Sequence, residues 1–514
     1  MSQSRTLNSV RNIIWAIIQK IVMIIFPFAV RTVMIAKLGE EYTGLSSLFT
    51  SVLSMLSLAE LGFSNAMVYC MYEPIHEKNQ DTICALLNLY KKIYTVMGVI
   101  ILGIGILVLP FLSCFIKGNI PSGINVYVLY LIYLLNTVVS YFMFAYKSSL
   151  MTAYQRNDII SRIMVVTQMM LYSAQIGVLI LFKSFYLYAL LIPLLTVITN
   201  LSYEFVSRKL YPEIICKGSV SKELKDKIKK RVIGIMLYKF SSTTRTSFDS
   251  VLVSMSLGLV LLARYQNYFL ILTSVAGVLT VINTSVTASV GDSIISKSVE
   301  DNYSDFKKFV FMYMWIAGWF TVCFLCLVQP FMTLWMGKDM LLPILIVLIM
   351  TVYFYVQTMG DIVFLYRTAA GLWWEDRIRP VVEAVANILL NLLLVQLLGL
   401  FGIILATVIT LLFINFLWGA SILFKHYFKR EMREYIGLQA INALVTCFAA
   451  AITWGLCSLI PVTGIYGIMS RLVICVVIPN IVFWCVYRKT SLYHLSLPFV
   501  KNAANIITKK FKRR

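Results

Sequence analysis

The chain has 514 residues, of which 60% are apolar and 13% charged, and its 45 lysines and arginines outnumber 23 aspartates and glutamates to give a net charge of +22. The mean hydropathy of +0.83 is far above that of soluble domains. This composition excludes a soluble enzyme, a disordered chain and a nucleic-acid binder. It predicts an all-α polytopic membrane protein, because a spanning helix needs ~20 apolar residues and such stretches occur from end to end.

Apolar runs separated by polar clusters predict about fourteen transmembrane helices. The stretches between them are too short for a folded extramembrane domain. In chain order the predicted spans are 12–36, 44–71, 90–113, 125–147, 158–182, 185–207, 232–257, 260–290, 310–330, 341–366, 380–399, 401–424, 436–460 and 464–487.

Positive charge lies almost entirely on one side of these spans. Of the 45 lysines and arginines, the outward loops contain only Lys37, Lys117, Lys183 and Lys338. Because basic loops remain in the cytoplasm, we expect an even number of spans with both termini cytoplasmic. The asymmetry also accounts for the net charge without a nucleic-acid partner.

The most basic loop divides the chain into domains. Residues 208–231 form a basic cytoplasmic linker, whose run KELKDKIKKR predicts a short amphipathic helix lying on the membrane surface. The linker separates a six-helix lobe, 1–207, from a second six-helix lobe, 232–424, predicted to have the same orientation. Residues 425–487 are predicted to form two additional helices. The basic tail 488–514 is either a second surface-bound helix or a solvated tail.

Ionisable residues inside the predicted spans mark the candidate site. A charge at the bilayer centre costs ~2.5 to 3.5 kcal/mol, so such a residue usually faces a wet cavity or a partner. The most polar span contains residues 239–249, KFSSTTRTSFD, and this helix cannot face lipid. Its Arg245 and Asp249 are one turn apart, and form either a buried structural pair or part of a cavity lining.

The depths of these residues follow from the rise of ~1.5 Å per helical residue. They predict an outer, mostly cationic ring and an inner cluster. The outer ring comprises Arg31, Arg245, Asp249 and Arg264, and the inner cluster comprises Lys20, Lys239 and Glu60. Asp361 and Glu383 lie near the cytoplasmic ends of the tenth and eleventh predicted spans. A cationic cavity within the membrane suits a phosphate or diphosphate, to which arginine makes bidentate contacts.

Two segments resemble a known family. Residues 42–67, YTGLSSLFTSVLSMLSLAELGFSNAM, resemble the second-span region of bacterial polysaccharide flippases, the Wzx-type or polysaccharide-transporter family of the superfamily that includes MATE drug exporters. Residues 248–271 resemble the region that links spans seven and eight in that family. The matching positions there are Asp249, Gly258, Tyr265 and Asn267. With the span count and the basic linker, the resemblance covers nearly the whole chain.

The resemblance implies two six-helix lobes packed as a V around a central cavity lined by spans one, two, seven and eight. It implies alternating access that flips undecaprenyl-diphosphate-linked oligosaccharide repeat units across the bacterial cytoplasmic (inner) membrane for O-antigen, capsule or exopolysaccharide synthesis. A polysaccharide polymerase and a chain-length regulator are the implied partners, besides membrane lipids. No resident cofactor or metal is expected, and coupling to H⁺ or Na⁺ stays open.

The predicted site residues follow from these two lines of reasoning. Lys20, Arg31, Lys239, Arg245 and Arg264 are predicted to bind substrate. Glu60, Asp249 and Asp361 are predicted either to pair with these bases or to serve in coupling or gating.

Two alternative functions remain. A multidrug exporter for organic cations, built on the same fold, predicts an acid-dominated cavity instead of a basic one. A membrane polysaccharide polymerase or glycosyltransferase generally needs sizeable outward loops, which this chain lacks. Glu40 and Glu41 of the first outward loop resemble an acidic catalytic pair, but are interpreted as a solvated turn. Transport without catalysis is therefore the expected activity.

Overall fold

Helices account for nearly all of the described chain. The computed structural model describes residues 5–57, 63–118, 120–121, 123–462 and 464–498, and these residues contain no strand. The all-α fold class predicted from composition is confirmed.

The first eight helices correspond to the six spans predicted before the basic linker. They are α1 (Arg5–Lys37), α2 (Glu40–Leu56), α3 (Phe63–His76), α4 (Gln80–Val108), α5 (Val126–Phe142), α6 (Lys147–Ala153), α7 (Asn157–Leu181) and α8 (Phe185–Leu210). The predicted span 44–71 comprises α2 and α3, and residues 58–62 between them lie outside the described chain. Helices α5 and α6 meet at an angle of 52°.

Eight more helices follow. They are α9 (Lys222–Leu257), α10 (Leu259–Ser296), α11 (Val299–Met336), α12 (Ile344–Ala369), α13 (Arg379–Thr410), α14 (Gly419–Leu423), α15 (Arg433–Ser458) and α16 (Gly464–Tyr487). Short π-helical segments, Leu411–Trp418 and Phe424–Phe428, flank α14.

A glycine break divides α13 into two helical pieces, at the place where two spans were predicted. Gly399 has φ 57° and ψ −133°, a left-handed conformation that only glycine adopts without strain. A Cβ at Gly402 would collide with the Leu394 carbonyl, so the chain passes close to itself after the break. The predicted spans 380–399 and 401–424 are therefore two separate helical pieces.

Ten of the described helical segments are long and apolar enough to cross a membrane, or eleven when α5 and α6 are taken as one bent span. The predicted number of fourteen is therefore approximate. The difference arises at three places. Residues 379–428 count as one segment, α2 and α3 are separated by undescribed residues, and the polar helix α9 does not qualify. The chain is a multi-pass membrane protein.

The basic linker differs from its prediction as a separate surface helix. The KELKDKIKKR run forms the N-terminal turns of α9 and continues without a break into the predicted span. Ser221 caps this helix by accepting a hydrogen bond from the Leu224 N–H at 3.3 Å, and Glu223 lies in the first turn. The 36 residues of α9 extend ~54 Å, which exceeds the ~30 Å hydrocarbon thickness. The basic run is therefore the N-terminal part of the long helix α9, which begins directly after its cap, Ser221.

Residues 491–498, in the predicted tail, are helical, and residues 499–514 lie outside the described chain. Whether the tail binds the membrane surface stays a prediction.

The chain divides into two compact units, Met1–Gln266 and Asn267–Arg514, and the division falls within α10. In unit 1, α1 packs along α7, α8 packs on α5 and α7, and α2 packs along α9. The predicted domain boundaries themselves stay predictions. A Cβ at Gly44 of α2 would collide with the Leu259 carbonyl, so a glycine is needed where α2 crosses the start of α10.

In unit 2, α11 packs against α12, α15 and α16. Cys323 and Cys326 form a CxxC sequence in α11. Cys326 is buried with Cys457 and Cys475 in an apolar cluster that includes Phe311 and Phe483. The thiols behave as small apolar groups in such a core.

Candidate functional site

The polar segment of α9 is inside the protein. Ser241, Thr244, Arg245, Ser247 and Asp249 are each no more than 7% exposed. In unit 1 this helix packs along α2 and against α3. The prediction that this helix does not face lipid is therefore supported by the burial of its polar side chains.

Three of these side chains lie on one helical face. Thr244 and Arg245 follow Ser241 by three and four residues, so their side chains are neighbours on the helix surface. The Ser241 and Thr244 hydroxyl oxygens are buried and accept or donate no hydrogen bond within the described chain. Buried hydroxyls are normally satisfied, so this face is suited to a polar ligand or water. We name Ser241, Thr244 and Arg245 the α9 polar face.

Ser241 and Thr244 were not predicted as individual site residues. The hydroxyl-rich composition of the segment is visible in the sequence, but the spacing of three and four residues from Ser241 is the signal that selects Thr244 and Arg245 as its neighbours.

Asp249 extends this face by one more turn. It is 3% exposed and lies four residues after Arg245. Beyond it, the Ser250 hydroxyl accepts a hydrogen bond of 2.7 Å from Gln266 Nε2, which ties α9 to α10. Both predicted interpretations of Arg245 and Asp249, a buried structural pair and part of a cavity lining, therefore stay open.

Arg264 is paired with Glu40, the first residue of α2. Its Nε lies 2.9 Å from Glu40 Oε2, and its Nη2 lies 3.4 Å from Glu40 Oε1. The two side chains are 29% and 24% exposed. Glu40, which begins α2, is therefore an ion-pair partner, and its interpretation as part of a solvated turn is wrong.

We expect Glu40→Arg and Arg264→Glu each to lower the thermal unfolding midpoint of the purified protein in detergent, because each places like charges together. The pair is partly exposed, so its coupling energy should be about 1 kcal/mol or less. The exchanged double variant should recover most of the loss. If the double variant has an unfolding midpoint no higher than that of the less stable single variant, the pair does not stabilise the fold.

The other predicted bases, on α1 and α9, differ in how far they are buried. Arg31 is half-buried on α1. Lys20 is exposed, on a part of α1 that also exposes Ile17 and Ile21. Lys239 is half-buried near the middle of α9.

Glu60 and Asp361 are the remaining acidic candidates. Glu60 lies outside the described residues, so the predicted inner cluster of Lys20, Lys239 and Glu60 stays a prediction. Asp361 belongs to unit 2, where its Oδ2 accepts a hydrogen bond of 3.1 Å from the Tyr313 hydroxyl. That hydroxyl in turn accepts a hydrogen bond of 3.0 Å from Asn283. Asp361 thus belongs to a polar chain that joins α10, α11 and α12.

A buried charge cluster in unit 2 went unnoticed in the sequence. Arg379 contacts Asp376 through Nε at 2.6 Å and Glu383 through Nη1 at 2.8 Å. Arg367 contacts the same Asp376 at 3.3 Å, and Asn415 donates to Glu383 at 2.9 Å. The spacing of three and four residues around Arg379 was the available signal. The cluster is compensated within itself, which is typical of structural ion pairs.

No protein-family model matches the chain, and no curated protein matches it. Solved structures do. A structure of the lipid II flippase MurJ in an inward closed conformation has 15% sequence identity and a TM-score of 0.67, and the match covers 94% of this chain and 99% of that one. An inward-facing multidrug resistance MATE transporter of the MOP superfamily has 17% identity and a TM-score of 0.62, covering 80% of this chain and 99% of that one.

A third similar structure is a MOP superfamily transporter from Pyrococcus furiosus, whose description reports a binding pocket of reversed polarity and suggests a different function. It has 17% identity and a TM-score of 0.56, and the match covers 82% of this chain and 96% of that one. This chain has the MATE/MurJ-like fold. The MATE-like fold class predicted from the family resemblance is thereby confirmed, and the V-shaped packing of the two lobes stays a prediction.

Proposed function

We propose that this protein is a flippase that moves undecaprenyl-diphosphate-linked oligosaccharide repeat units across the bacterial cytoplasmic membrane by alternating access. The observation that carries the proposal is the α9 polar face, in which an arginine and two hydroxyls are buried within a membrane-protein fold shared with a lipid II flippase. Both termini would lie in the cytoplasm. A polymerase and a chain-length regulator would use the product.

The charge of the candidate residues favours a phosphorylated substrate. Arg245 has five donors in a planar fork, and a diphosphate offers oxygens in matching geometry. Ser241 and Thr244 add hydroxyl donors on the same face, at a depth where unsatisfied polar groups are costly. In this role the arginine binds the headgroup, and the hydroxyls orient it.

The other predicted bases would extend this binding. Arg31, Lys20, Lys239 and Arg264 would attract the headgroup along its path, since a membrane-embedded positive charge favours an anion over a neutral solute. The Glu40 pairing of Arg264 would keep its guanidinium in a defined position until the headgroup competes for it.

Acidic groups are the proposed coupling sites. Asp361, with its Tyr313 and Asn283 partners, would exchange a proton or Na⁺ in unit 2. Asp249, one turn from Arg245, would link coupling to headgroup binding, and Glu60 is the third candidate.

Translocation of a fluorescent lipid-diphosphate in vesicles tests the proposal. We expect the purified protein to expose the labelled headgroup to an external quencher faster than protein-free vesicles do, with a rate that depends on a H⁺ or Na⁺ gradient. A neutral lipid with the same fluorophore is the control. The proposal would be contradicted if the two lipids were translocated at equal rates, or if the lipid-diphosphate were translocated no faster than in protein-free vesicles.

A multidrug exporter is the second candidate function, favoured by the fold shared with MATE transporters. Within this fold, the polarity of the binding pocket has been used to argue for a different function. The basic and hydroxyl character of the α9 polar face favours an anionic substrate over an organic cation. Export of a fluorescent cation by the same vesicles, without lipid-diphosphate movement, would select this candidate.

A further inference from the structure

An apolar groove with a cationic end lies on unit 1, between α7 and α8. Its volume is about 520 Å³. Val166, Leu201 and Phe205 line it and are 56%, 48% and 71% exposed. Ile163, Ile198 and Val206 complete its apolar wall, and Arg162 stands at one end. The hydroxyls of Thr167 and Ser202, which also line it, donate to backbone carbonyls of their own helices.

Arg162 is held in place without being enclosed. Its guanidinium lies 4.9 Å from the centre of the Trp15 ring, a cation–π contact. Its Nη2 is 3.7 Å from Asp158 Oδ2, while the side chain as a whole is 43% exposed. An arginine positioned in this way loses little conformational freedom when it binds an anion.

The surroundings of Arg162 have an excess of positive charge. Arg11 and Arg156 also contact the Asp158 carboxylate, at 2.8 and 3.0 Å. Three guanidinium groups thus face one carboxylate, and these four side chains together carry a charge of about +2 at neutral pH.

Glu204, the acidic residue of α8, does not cancel this positive charge. Glu204 is contacted by Lys147 at 3.4 Å and by Arg208. The end of the groove is therefore cationic, while its length is apolar.

We propose that this groove binds an anionic glycerophospholipid of the bilayer. The phosphate contacts Arg162, and an acyl chain lies along Ile163, Val166 and Leu201. From residue 198 to 206 the groove follows ~12 Å of α8, enough for the upper part of an acyl chain. By the predicted topology its cationic end is cytoplasmic, where anionic headgroups attract basic side chains.

A bilayer lipid fits these features better than free phosphate does. Six of the nine lining residues are apolar, and Val166, Leu201 and Phe205 among them are exposed. An acyl chain can pack against such a surface, whereas free phosphate has no apolar part. The site differs from the α9 polar face, so the inference stands independently of the proposed function.

The test uses the full-length protein purified in a neutral detergent, with phosphatidylglycerol or phosphatidylcholine added and the retained lipid counted by native mass spectrometry. Arg162→Gln removes the phosphate contact, and Val166→Trp fills the groove without changing any charge. Arg377→Gln is the control, because Arg377 also stacks on a tryptophan, Trp374 at 4.0 Å, but belongs to unit 2.

We expect the native protein to retain phosphatidylglycerol in preference to phosphatidylcholine. Each groove variant should weaken this retention about tenfold, the effect of losing one charged hydrogen bond or the acyl contact, and the control should not. Equal retention of the two lipids, unchanged retention in both groove variants, or displacement of the lipid by millimolar inorganic phosphate would overturn the proposal. If Arg162→Gln does not fold, Val166→Trp decides alone.

Discussion

Replacing Arg245 by alanine is expected to slow lipid-diphosphate translocation in vesicles at least about tenfold and to abolish surface polysaccharide in cells. The physical reason is the loss of a charged hydrogen-bond donor worth ~1.5–3 kcal/mol at a buried position, 7% exposed, on the α9 polar face. Arg245→Lys keeps the charge but not the planar fork, so we expect it to retain part of the rate. Initial translocation rates at equal protein density provide the measurement.

Arg471 supplies the matched control for this experiment. It also lies within a predicted span, where its Nε and Nη2 donate to the carbonyls of Cys457 and Ile460 at 3.2 and 3.0 Å. Arg471→Ala removes an arginine from unit 2 and should leave the translocation rate nearly unchanged in folded protein. Translocation by Arg245→Ala at the native rate would remove the α9 polar face from the substrate path.

Replacing Arg379 by methionine is expected to have the largest effect on stability. Its side chain is fully buried and contacts both Asp376 and Glu383. Removing one partner of a buried ion pair costs ~3–5 kcal/mol, because the remaining charges are uncompensated. We expect a strongly lowered thermal unfolding midpoint in detergent and reduced abundance in the membrane.

Arg377→Met is the control for this second prediction. Arg377 is only two residues away but stacks on the exposed ring of Trp374 and makes no ion pair among the described residues. We expect a change of at most about 1 kcal/mol there, as for most surface substitutions. If Arg379→Met and Arg377→Met have the same unfolding midpoint, the buried charge cluster does not stabilise unit 2.

Sequence reasoning identified the spans because a spanning helix has a local signature. Twenty apolar residues in a row are visible without any knowledge of neighbours. Where the pattern was less local, the prediction was less accurate. The linker was assigned as a separate helix because its composition changes abruptly, yet the backbone of α9 continues through this change, since lysine, glutamate and leucine are all good helix formers.

The polar segment of α9 was also recognisable from local sequence. The polarity of residues 239–249 marked α9 as a helix that avoids lipid, and its burial agrees with that. The pairing of Arg264 with Glu40 joins residues 224 positions apart, and no spacing rule predicts such a contact. Glu40 was therefore interpreted from its local surroundings alone, and that interpretation failed.

By itself, the sequence determined that this protein is helical, lies in a membrane and buries charge in α9, because hydropathy, length and helical spacing act over one or two turns of chain. Only the tertiary structure decided which charges meet. Glu40 reaches Arg264, three arginines surround Asp158, and Arg367 joins the Asp376 and Arg379 pair. Such contacts depend on how separate helices pack, and packing sets the distances between side chains that the order of residues leaves undefined.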